Sequence, residues 1–246
     1  MFKSSNPVLS RMDNSDIQML NSVPMTVNGT IGKTFALILI ALVAAAAMVY
    51  EAMMGYTDKM MTVMTVALVV GLISGFAACF LPKFTKFLAP VYAFAEGALL
   101  GGISIFLEAK FPGIAIQAIS GTFIAFLVML FLYRVKAIRA TEKFRATIMT
   151  ALLTIMIIYL VDLVGSFFNF SIPFVSGNGI TALAFSAIVV LIASLSLILD
   201  FDFIEKGAQN LLPKDFEWYG AFGLTVTLVW LYIEILKLIA LLRGDD

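Results

Sequence analysis

Two carboxylates sit inside apolar sequence, where a charge is costly. Glu234 interrupts the stretch 221–242, and Asp200 closes the run that ends Leu-Ile-Leu-Asp-Phe-Asp-Phe-Ile-Glu-Lys. A charge near the centre of a membrane helix costs at least about 2.5–3.5 kcal/mol, so such groups face a partner or a water-filled path. The chain has no histidine. Proton sensing within a membrane would therefore fall to carboxylates, whose charged form burial disfavours.

Local spacing offers some of these groups a partner. Glu234 and Lys237 stand at i, i+3 on one helical face, which suits a plain ion pair. Asp202 has Lys206 at i+4, a pair expected at the solvated end of its helix. Asp200 has Phe203 and Ile204 at those positions and must find a partner elsewhere or take up a proton. Glu96 and Asp162 are further candidates for lining a path, whereas Glu51 and Glu108 fall at span ends.

The elements that must position these groups are membrane helices. The chain of 246 residues is 61% hydrophobic with a mean hydropathy of +1.02, and only 13% of it is charged. Soluble domains carry about 25% charged residues. Apolar windows long enough to cross hydrocarbon fall at 34–50, 61–81, 88–107, 114–133, 147–168, 179–200 and 219–242. The expected architecture is an all-α polytopic protein of seven transmembrane helices, with a polar tail at 1–33 and a helical domain at 34–246. The tail is too long and too weakly basic for a secretory signal, so the first apolar run reads as a retained helix.

Charge placement gives a direction. Twelve lysines and arginines fall on the face that holds the tail and the second-to-third, fourth-to-fifth and sixth-to-seventh connections; four fall on the other. The positive-inside rule then puts the N-terminus in the cytoplasm and the C-terminus outside. Gly71/Gly75 and Gly97/Gly101 have the spacing for close helix approach, read here as packing within one bundle. The single cysteine, Cys79, cannot form an internal disulfide.

Enzyme motifs are missing: the chain has no Gly-x-Ser-x-Gly, no His-Glu-x-x-His, no Gly-x-Gly-Asp and no Walker loop. No enzymatic activity and no nucleic-acid partner are expected. A rhodopsin-like reading fails because Lys237 lies near its helix end and the N-terminus falls on the wrong side.

The C-terminal third resembles a known family. Leu199-Asp200-Phe-Asp-Phe-Ile204, a polar connection and then Leu231-Tyr-Ile-Glu-Ile-Leu-Lys-Leu238 are similar to the Bax inhibitor family in its bacterial YccA-like branch. That family ends its sixth helix with Asp-x-x-x-Ile and carries a Leu-Tyr-Leu-Asp-like signature in its seventh. Val91-Tyr-Ala-Phe-Ala-Glu-Gly97 resembles the start of the family's third helix. The specific resemblance covers roughly residues 80–108 and 185–246.

The resemblance implies a last helix enclosed by the other six and a proton-sensitive calcium leak in a bacterial inner membrane. Asp200 and Glu234 match the two sensor positions, at which paired carboxylates share a proton when closed and repel when ionised. Calcium, the permeant ion, suits oxygen ligands; no cofactor is implied. Three departures stand out: glutamate at 234 where the family has aspartate, Lys83 in place of a latch arginine, and a long sixth-to-seventh connection. The same resemblance allows a rival, a non-conducting regulator that binds another membrane protein such as a quality-control protease. Helix ends near Lys206 and Phe222 would set the two carboxylates at depths about 9 Å apart, which leaves their contact open.

Overall fold

The computed structural model describes residues 23–55 and 59–244. Seven long helices account for most of them: α1 Val27–Met53, α2 Met60–Phe80, α3 Thr85–Lys110, α4 Ile114–Arg134, α5 Glu142–Ser166, α6 Ile180–Gln209 and α7 Phe216–Gly244. Each is long and apolar enough to cross a membrane. A 3-10 turn, Pro82–Phe84, joins α2 to α3, and a single helical turn, Pro173–Ser176, sits between α5 and α6. All seven apolar windows are therefore helices. α1, α3 and α7 run past their windows at both ends, because polar turns lie outside the apolar run.

The caps show why. Thr26 accepts from Gly29 N at 2.9 Å and starts α1 seven residues before the apolar window of 34–50. Thr141 accepts from Phe144 N at 3.2 Å and starts α5, with Glu142 in the first turn. A hydroxyl at this position satisfies one of the orphan amides of a helix start. Gly113, at φ 83°, makes the left-handed turn between α3 and α4, a conformation that costs glycine nothing. The sixth-to-seventh connection is six residues long, because α6 continues to Gln209 and α7 begins at Phe216.

Lipid tails are as apolar as leucine, so helix association rests on close packing and polar contacts. α7 is the central helix, packed against α1, α3, α4 and α6, with α2 leaning on α3 as an outer layer. Leu197 of α6 and Leu231 and Leu236 of α7 form the core of one half with Ile114 of α4. In the other half Leu37, Ala89, Ala93 and Ala221 let α1, α3 and α7 approach, and Tyr92 meets Phe222 edge to face at 5.2 Å. Both glycine pairs act inside the bundle. A methyl on Gly97 or Gly101 would run into the backbone of Ala41 or Ala45 of α1; Gly71 and Gly75 lie under Glu96 and Tyr92 of α3.

α5 is the loosest of the seven: it packs mainly against α6, and only Ile148 and Ile155 of its residues are buried.

Candidate functional site

Three helices, α5, α6 and α7, gather Asp200, Asp202 and Glu234 with their neighbours. Between them lies a cavity of about 310 Å³, lined by Asp200 and Ser196 of α6, Thr227 and Trp230 of α7, and Met149 and Leu152 of α5. Asp200 stands beside the Thr227 hydroxyl. Its Oδ2 is sealed from solvent and meets no hydrogen-bond partner among the described residues. A buried polar atom without a partner is rare in native structures and calls for a functional or hydration explanation.

Glu234 is 3% exposed, on the face of α7 turned toward α5. Its Oε1 accepts from the Tyr159 hydroxyl at 2.8 Å and from Trp230 Nε1 at 3.1 Å. Its Oε2, like Oδ2 of Asp200, is sealed and unpaired. Trp230 thus lines the cavity of Asp200 while its ring nitrogen holds Glu234.

No hydrogen bond joins the two carboxylates. Asp200 is level with Thr227, and Glu234 lies seven residues further along α7, about 10 Å at 1.5 Å per residue. The physical reason is register: α6 and α7 run antiparallel from a short connection, so nine residues of α6 reach Asp200 but eighteen of α7 are needed to reach Glu234.

The i, i+3 ion pair of Glu234 with Lys237 does not form. Lys237 Nζ instead donates to the Val175 carbonyl at 2.8 Å and lies 5.4 Å from the centre of the Tyr159 ring. The Val175 carbonyl holds the lysine amine instead, and Oε2 of Glu234 stays without a partner among the described residues. Lys83 is exposed in the 3-10 turn and makes no ion pair among the described residues. Glu96 is half-buried between α2 and α3, against Gly71, and is not among the groups gathered by α5, α6 and α7. Asp162 accepts from Ile172 N at 2.7 Å and from the Ser176 hydroxyl at 2.9 Å, tying down the connection after α5.

Asp202 does pair with Lys206, at 2.9 Å, but it is buried and not solvated. Arg145 of α5 covers it, donating to the same oxygen at 2.8 Å. Sequence spacing could supply the lysine, not the arginine. α5 is therefore held by a polar contact at each end: Arg145 to Asp202 near the basic connections, and Tyr159 to Glu234 about 21 Å further along.

A second cluster went unread in the sequence. Glu217, 1% exposed in the first turn of α7, forms an ion pair with Lys33 of α1. It also accepts from Thr26 N at 2.9 Å and Thr26 Oγ1 at 3.0 Å. Beside it, Met25 N donates to Leu212 O at 2.7 Å and Lys214 N to Val23 O at 2.9 Å. Residue 217 precedes the apolar window of 219–242, so hydropathy does not mark it as buried. The one signal for Tyr159 and Trp230 is chemical: a buried hydroxyl or indole N–H needs an acceptor.

Fold and site together define a polytopic helical membrane protein with charged groups sealed in its interior, around a helix packed at the centre. The model of the Bax inhibitor 1 like family matches residues 6–244, and the chain belongs to that family. No curated protein and no solved structure matches it.

Proposed function

We propose that this protein is a pH-sensitive leak channel for calcium, or another cation, in a bacterial inner membrane. The N-terminus would be cytoplasmic and the C-terminus outside, as the distribution of lysine and arginine suggests. Asp200 and Glu234 are the proton-sensitive groups, and no enzymatic reaction is part of this reading. One observation supports it above the others: Oδ2 of Asp200 and Oε2 of Glu234 are sealed without partners, linked through Trp230 beside a cavity.

Protonated, each carboxyl is neutral and the apolar wall can close over it. Ionised, each draws water and offers oxygen to a hard cation. Because Trp230 stands between the two groups, they act in series along α7 and do not share one proton. α5, with little buried surface of its own, is the wall that would yield.

Calcium flux into liposomes, stepped from pH 8 to pH 5, tests this. Flux should fall with acid and lose its pH dependence in Asp200→Asn or Glu234→Gln. Flux no greater than through empty liposomes at every pH would sink the channel reading.

The second reading, a non-conducting regulator of another membrane protein, draws on the bonds between Val23–Met25 and the α6–α7 connection. They lead the chain into the bundle beside Glu217, where a partner's pull on the preceding residues would reach α7.

A further inference from the structure

α5 and α6 leave an open groove of about 590 Å³, lined by a different face of α5 from the one that lines the carboxylate cavity. Thr147, Thr150, Ala151 and Thr154 of α5 form one wall, and Ile188 and Ile192 of α6 the other. The threonines do not make it polar: the Thr154 hydroxyl, for one, donates back to the Thr150 carbonyl at 2.9 Å. The groove is an apolar trough with small side chains on its floor.

Its length and its mouth identify an occupant. From Thr147 to Ile158 the α5 wall rises about 16 Å, close to half of a hydrocarbon core of roughly 30 Å. The trough therefore spans about the depth of one leaflet, its lining ending at Ile158 and Phe185. At its open end Lys143 stands four residues before Thr147, on the same helical face. Arg139 and Lys136 lie in the α4–α5 connection and Arg134 ends α4; all four are exposed, and none pairs with a carboxylate among the described residues.

We propose that this groove is a binding site for an anionic phospholipid of the cytoplasmic leaflet. One acyl chain lies between α5 and α6, and the headgroup phosphate is held by Lys143 and Arg139. The leaflet rests on the orientation proposed above. A second copy of the chain fits less well, because a twofold contact along this groove would set each basic mouth against its twin.

Native mass spectrometry of the purified full chain in detergent tests the site, with palmitoyl-oleoyl phosphatidylglycerol or phosphatidylcholine added. The wild type should retain one phosphatidylglycerol with about thirtyfold preference over phosphatidylcholine, the effect expected of two basic groups near a headgroup. Ala151→Trp, which fills the trough, should lose the bound lipid. Lys143→Gln combined with Arg139→Gln should keep a lipid but lose the preference. A phosphatidylglycerol with a photoreactive acyl chain, used on the wild type, removes any dependence on variant folding, and its adducts should concentrate on α5 and α6. Equal retention of both lipids, adducts spread evenly over the outer helices, or a dimer that Ala151→Trp dissolves would each overturn the site. Lys143→Cys in a Cys79→Ser background, labelled from each side of sealed vesicles, reports orientation separately. Labelling from outside would overturn the leaflet assignment, whatever the lipid result.

Discussion

The Tyr159 hydroxyl donates to Oε1 of Glu234 at 2.8 Å, joining residues 75 positions apart. This bond ties a loosely packed helix to the central one through a buried carboxylate. Tyr159→Phe should therefore act on more than stability. Leaving a buried acceptor short of a donor costs about 1–3 kcal/mol, and the midpoint of the flux-versus-pH curve should move. A variant with unchanged midpoint and unchanged thermal denaturation in detergent would remove Tyr159 from the gate.

At the other end of α5, Arg145→Ala should leave Asp202 buried with Lys206 as its remaining cation. A hydrogen bond to a charged group is worth about 1.5–3 kcal/mol, so the melting temperature should fall. Hydrogen exchange should rise in the first turns of α5 and stay as before in α3. Uniform loosening of the whole bundle would show that Arg145 does not hold α5 in particular.

Lys33→Met strands Glu217, which is 1% exposed. Removing one partner of a buried ion pair costs about 3–5 kcal/mol. Adding Glu217→Gln should recover part of that loss, since an amide oxygen can still accept from Thr26. A double variant as unstable as Lys33→Met alone would mean that the stranded charge is not the cause.

Gly97→Ala presses a methyl into the backbone of Ala41. Overpacking of this kind costs about 1–3 kcal/mol. Gly32→Ala in α1 meets nothing within 4 Å and should be neutral or add about 0.5–1 kcal/mol from helix propensity. Thermal denaturation of the two variants side by side checks the contrast; equal effects would deny the close approach of α1 and α3.

The two functional readings part at the tail. Thr26 bonds Glu217 and α1 begins at Val27, so a deletion must stop at residue 22 to leave the bundle intact. A channel should conduct without residues 1–22. A regulator that depends on its tail should lose its partner in a pull-down from solubilised membranes.

Much of the fold could be read in one dimension. Seven apolar windows became seven helices because length and hydropathy along the chain are what a bilayer selects. Asp200 and Glu234 were legible as candidates for the same reason: a charge in an apolar run stands out whatever surrounds it. The polar ends were not. Glu217 precedes its apolar window, where hydropathy carries no mark of burial, yet the fold seals it under α1.

What the chain's order of residues decided, then, is which segments cross and which charges are buried with them. What the tertiary structure decided is whom each charge meets: Tyr159 for Glu234, Arg145 for Asp202, Lys33 for Glu217, across 75, 57 and 184 residues. Local spacing proposed Lys237 for Glu234, and packing chose otherwise. The reason is that partner choice depends on the rotation and axial register of whole helices, which small residues such as Gly97 and Ala41 set at their contacts.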